Sequence, residues 1–203
     1  ERSNLLRIPA DRLMIDYRIA SIHSMNRSLG LYREKLSEII AEVDASYEQP
    51  PSQLEDPMFR ILTTEGPDKL LELYRIEDHG SLPAYFRLGE LYYQEGKRYL
   101  EAARMLTYAF VITFTEVLDY LFEMDPEYSY EGITETIRDT RRHEVPHRYL
   151  NDSIAYGQIY LLGGALDAVG ESQRASELRN IVLRFAPEGK WRSRASIPYS
   201  ETR

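Results

Sequence analysis

The sequence predicts an all-α fold. Three observations carry this. Apolar residues recur three and four apart through most of the 203 residues. The recurrences are interrupted by glycine and proline at the spacings that end and start helices. One stretch, Met105 to Phe122, is apolar on nearly every side, as a covered central helix would be.

The strongest pattern lies between Tyr156 and Pro187. Tyr156, Ile159, Tyr160, Leu162, Gly163 and Leu166 share one helical stripe; Ala175, Leu178, Ile181, Val182 and Phe185 share a second. Gly170 stands where the first helix must stop, since glycine tolerates the left-handed conformation of helix ends. Pro187 ends the second, because proline cannot continue the ladder. Gly163 lets a neighbouring helix approach closely, and Ala175 is expected opposite it.

In chain order, Glu1 to Ile8 forms a leader without periodicity. Pro9 and Asp11 suit the first turn of a helix. A single long helix is expected from there to about Tyr47, roughly 50 Å at about 1.5 Å per residue. Ile22, Met25, Leu29, Tyr32, Leu36, Ile39 and Val43 form its heptad-like seam, with Gly30 as a bend and His23 beside the seam. Such a helix serves as a spine along the rest of the chain or pairs with another copy of itself. Gln49 to Asp56 reads as a linker around two prolines. Helices then follow over Pro57–Thr64 and from Pro67 to Ile76. A turn at Asp78–Ser81 has Ser81 as the expected cap of a helix running through Tyr93. Arg98 to Met124 is the long apolar helix, stopped by Asp125-Pro126; Glu116 and Asp119 argue against its spanning a membrane. One more helix runs from Ser129 to about Arg141, and Pro146 opens the helix of the Tyr156 stripe. After Pro187 the tail is aperiodic and locally basic, contains Trp191, and is expected to be flexible or to lie along the last helix. The organisation expected is 1–48 as the long helix, 49–187 as a helical array and 188–203 as a flexible tail.

Leu162-Gly163, Leu166, Gly170, Ala175, Val182 and Pro187 fall at the spacings of a tetratricopeptide repeat, with Arg179 where that pattern has an aromatic residue. Leu82 to Phe110 also resembles the repeat: Tyr85, Leu88-Gly89, Tyr92 and Gly96 are in register, and Ala102 and Ala109 come one residue late. The two stretches, about 82–110 and 156–187, cover roughly a third of the chain. The resemblance implies antiparallel helix pairs stacked as a superhelix. It also implies a concave groove lined by the first helix of each pair. Carried over to this sequence, the groove takes Phe86, Glu90, Tyr93 and Gln94 from one repeat and Tyr160, Gly164 and Asp167 from the other. The Lys and Asn with which family members clamp a partner's terminal carboxylate are missing. An aromatic and acidic groove suits a basic or apolar segment. The alternative is a groove already filled by the long helix or a terminal segment.

Composition narrows the chemistry. With 25 basic and 33 acidic residues the formal charge is −8, which opposes non-specific binding to nucleic acid. The absence of cysteine excludes disulfides and thiolate metal sites, and fits either cytoplasm or periplasm. No segment reads as a membrane span or signal peptide. The chain begins at Glu1 rather than Met, which points to an upstream segment. The 16 tyrosines suit half-buried packing and partner surfaces.

His143-Glu144-Val145-Pro146-His147 matches H-E-x-x-H by letters. That motif works when both histidines share one face of a continuous helix and a third ligand completes the site. Pro146 contradicts this context. No phosphate-binding glycine loop and no nucleophile elbow is present, and Gly163-Gly164 reads as helix packing. The sequons at Asn26 and Asn151 are at chance level. The expectation is a non-catalytic protein–protein interaction or scaffold module that needs no cofactor and no metal. The first alternative is a structural subunit of a larger bacterial assembly, using the long helix and the apolar central helix as permanent interfaces. A remote one is a zinc-dependent hydrolase at His143 and His147.

Overall fold

A computed structural model describes residues 10–47, 53–151 and 154–201. The readings made for Glu1–Pro9, for the proline linker at 48–52, for the sequon residues 152–153 and for 202–203 lie outside these. The described residues are helical, with no strand among them. The helices are α1 (Ala10–Met25), α2 (Leu29–Asp44), α3 (Glu55–Thr64), α4 (Pro67–Leu73), α5 (Leu82–Gln94), α6 (Tyr99–Met124), α7 (Ile133–Thr140), α8 (Glu144–Asn151), α9 (Ile154–Ala168), α10 (Ser172–Phe185) and α11 (Lys190–Ala195); a 3-10 turn follows at Tyr199–Glu201.

The helices lie in two layers. One holds α2, α5, α9 and α11, each packed on the next, with α1 against α2. The other is centred on α6, which is flanked by α3, with α4, α7 and α8 against it as well, while α10 packs on α9 and meets the end of α3 through Arg174. The pairs α5/α6 and α9/α10 make the most extensive contacts among the described helices. Their small residues explain why. A Cβ on Gly89 would sit 2.7 Å from Leu106 Cγ, and one on Gly163 would sit 3.3 Å from the Ala175 carbonyl. The helices approach as closely as these side chains permit.

Helix α6 is buried from Leu106 to Val117 save Glu116, between α3, α5 and α9. Among the described helices it alone is long and apolar enough to cross a membrane, and 72% of its apolar window is buried inside the protein. Two of its buried threonines bond to neighbouring segments. Thr113 donates to Gln158 Oε1 at 2.7 Å, and Thr115 accepts from the Ile76 amide at 3.0 Å.

Three expectations are corrected. The long N-terminal helix is two helices, broken at Asn26–Ser28, where Arg27 takes φ 55° and the chain reverses. The expected seam therefore splits. Leu36, Ile39 and Val43 enter the core, whereas Ile22, Met25 and Leu29 are half exposed or more. Ser81 makes no side-chain cap; the Asp78 carboxylate accepts the amides of Gly80, Ser81 and Leu82 instead, at 2.8, 2.9 and 3.2 Å. The helix expected from Ser129 begins at Ile133, whose amide donates to the Asp68 carboxylate of α4 at 2.8 Å. Of the two alternatives for the tail, flexible or lying along the last helix, the second holds: Lys190 to Glu201 packs against α10 and also α9, anchored by Trp191, Ala195 and Tyr199.

Candidate functional site

The first helix of each repeat-like pair does come together with its counterpart: α5 touches α9. Gly164 of α9 makes this possible, and Gly157 and Gly163 let the C-terminal segment approach in the same way. Each faces an aromatic ring at a distance where a Cβ would collide: Gly157 under Trp191, Gly163 under Tyr199 and Gly164 under Tyr93. Tyr199 donates to the Tyr160 carbonyl at 2.9 Å. Its ring lies 5.2 Å from that of Tyr160, which also meets Trp191 at 5.8 Å. Arg179 holds the segment down by donating to the Ala195 carbonyl at 2.7 Å.

These contacts divide the seven predicted groove residues. Tyr160 and Gly164 are buried, Tyr160 beneath Trp191 and Tyr199 and Gly164 beneath Tyr93. Tyr93 packs edge-on against Tyr99 at 5.7 Å. Asp167 accepts from Ser172 at 3.1 Å, across the α9–α10 turn. Phe86, Glu90 and Gln94 line open clefts. One cleft, about 350 Å³, lies between α5, the start of α9 and the turn before α11; Phe86, Arg87, Glu90, Tyr156, Lys190 and Trp191 contribute to its wall. The second, about 440 Å³, lies between α5 and the α1–α2 turn, and is lined by Met25, Leu29, Tyr32, Arg87, Glu90 and Gln94. Arg87 and Glu90 belong to both clefts and pair with each other at 2.9 Å. The clefts thus form one interrupted groove across the layer of α2, α5 and α9.

The second cleft was not foreseen. Its lining from Met25, Leu29 and Tyr32 depends on the chain reversal at Arg27, which the continuous apolar seam conceals. Tyr156 and Trp191 were visible as aromatic residues, but no periodicity placed Trp191 beside α5. Burial pushes the Tyr156 hydroxyl up to about 12, with Arg141 acting in the other direction. The phenol is therefore a neutral hydrogen-bonding group at physiological pH.

A polar knot fixes α2 and α3 to this layer. Tyr85 donates to the buried Asp44 at 3.1 Å, Tyr85 and Tyr108 pack with ring centres 4.1 Å apart, and Tyr47 stacks on His79 at 4.0 Å. Glu55, at the start of α3, has its carboxyl pushed up to about 7, first by burial and then by the charge of Asp44.

His143 and His147 flank the first turn of α8, where the His147 amide bonds back to the His143 carbonyl at 3.2 Å. Pro146 is the third residue of that helix rather than its first, a position whose missing N–H has no intrahelical partner to lose. His147 Nε2 pairs with the Asn151 side chain at 3.0 Å. Among the described residues no group of three His, Asp or Glu side chains is placed to hold a metal ion.

No family model, no curated protein and no solved structure matches this chain.

Proposed function

We propose that the chain is a non-catalytic interaction module of tetratricopeptide type. It holds a partner's segment in the groove that runs from Met25 and Tyr32 over Arg87 and Glu90 to Tyr156 and Trp191. The observation that carries the reading is the pair of clefts meeting at Arg87 and Glu90. They present aromatic and aliphatic walls around a central charged pair, the composition of surfaces that anchor apolar side chains and orient them by charge. The glycine-floored contacts of α9 with Tyr93, Trp191 and Tyr199 support it further, because they keep this face rigid. In this reading α6 is the core helix of the array and not a membrane span.

The test is affinity capture by the full chain, compared with Glu90→Arg and with the control Glu72→Arg at an exposed side chain of α4. Loss of a captured protein with Glu90→Arg alone, at unchanged helicity, is the expected result. Equal capture by all three chains contradicts the groove.

A second reading, a subunit of a larger assembly, is favoured by the outer face of α1. It carries Met14, Ile15, Ile19, Ile22 and Met25, all between 37% and 74% exposed.

A further inference from the structure

Helix α1 is packed by one side only. Leu13, Asp16, Tyr17 and Ala20 face the protein, and Asp16 and Ala20 are buried there. Much of that contact is polar. Lys35 reaches Asp16 at 2.6 Å, and Tyr17 donates to the Gly80 carbonyl at 2.7 Å and accepts from the Ala84 amide at 3.2 Å. The opposite side should then be polar, as on a helix facing water. It is not. Ile15, Ile19 and Ile22 follow one another four and three residues apart along the outer stripe, half exposed, with Met14 and Met25 beside them.

We propose that this face joins two copies of the chain, α1 against α1, antiparallel about a two-fold axis near Ile19. The area fits. The five side chains offer roughly 500 Å² of apolar surface. A standard interface takes about 800 Å² per partner, and in homodimers about two thirds of it is apolar. The face is also complementary to its own reversed copy. Ile15 and Ile22 of one chain meet Ile22 and Ile15 of the other. Asp11, in the first turn of α1, comes to the end of the partner helix followed by Arg27. That self-matching is what a two-fold interface requires. The antiparallel setting further places each helix's positive end beside the other's negative end. Arg18 falls within this stripe and beside the axis, so its aliphatic stem packs against the partner helix while the guanidinium reaches out to water. This pairing shares Met25 with the edge of the second cleft but rests on Ile15, Ile19 and Ile22, which line neither cleft, and stands or falls without the groove.

The experiment is sedimentation or light scattering of the full chain from about 1 to about 100 µM, the range in which a weak to moderate dimer dissociates. The expected mass rises with concentration toward twice 23.7 kDa. Ile19→Glu and Ile22→Glu each hold it at the single-chain value with unchanged circular dichroism. A second variant uses the absence of cysteine in the sequence: Ile19→Cys should cross-link to a disulfide dimer on oxidation, and exposed Ser176→Cys should not. A single-chain mass at every concentration overturns the proposal, as does a dimer that persists in both glutamate variants.

Discussion

The array of α5, α6, α9 and α10 and the hairpin of α1 and α2 are both antiparallel helix pairings on one core, but they are held differently. In the array, glycine faces side chains and backbone at near-minimal distance, and the apolar faces of α6 and α9 are turned inward. In the hairpin, α1 is held mainly by the Lys35–Asp16 and Arg12–Glu42 ion pairs, each 2.6 Å, and by the Tyr17 hydroxyl, while its largest apolar side chains face outward. Apolar burial gives the array its stability. The hairpin leaves much of that potential unused, which is what a surface intended for something else looks like. An apolar residue is informative by where it points and not only by its spacing.

The largest effect separating the two regions is expected at Gly89. Leucine there would drive into Leu106 and the Met105 Cβ, 3.3 Å away, with α6 fixed behind them. Overpacking of this kind costs about 3 kcal/mol, which calorimetry would read as a fall in Tm of roughly 10 °C. A loss of a degree or less would mean that α5 and α6 are not tightly apposed. A middle-sized effect belongs to the hairpin. Tyr17→Phe leaves the Gly80 carbonyl and the Ala84 amide without that hydroxyl, at a cost of about 1–2 kcal/mol. Amide exchange should quicken in α1 and leave α9 unchanged; equal quickening in both would show that the hairpin is not separable.

The smallest effect concerns Glu55, where hairpin and array are joined. Its carboxyl is raised to about 7 by burial and by Asp44, so the folded chain keeps a proton that the unfolded chain releases at lower pH. The contribution of this group to stability is therefore full in acid, and is lost as pH rises from the ordinary glutamate value through about 7. Glu55→Gln should be more stable than the native chain by about 1 kcal/mol at slightly alkaline pH, a figure discounted for partial exposure, and equal to it near pH 5. Thermal melts at the two pH values check this, and a gain of the same size at both would refute the assignment.

The array was legible because its boundaries are written in glycine and proline: Gly96, Gly170 and Pro187 fall where α5, α9 and α10 end. Gly163 and Ala175 meet as their spacing required. The hairpin was not legible, since the reversal falls on Arg27, a non-glycine residue in a left-handed conformation, and the apolar seam runs across it unbroken. The tail was legible only as one of two alternatives. Trp191 and Tyr199 are placed by the α9 glycines beneath them, a fit between distant segments that periodicity along one helix does not register. Of the seven residues read onto a groove, Phe86, Glu90 and Gln94 border clefts, whereas Tyr160 and Gly164 lie under aromatic rings that no periodicity announced.

The most direct measurement is residue-resolved amide exchange on the full chain at low and high concentration. The account predicts that α5, α6, α9 and α10 exchange slowest and as one unit at both concentrations. It predicts that α1 exchanges faster in dilute solution and is protected when the chain is concentrated. Protection of α1 equal to that of α9 in dilute solution, or early exchange of α9, would contradict it.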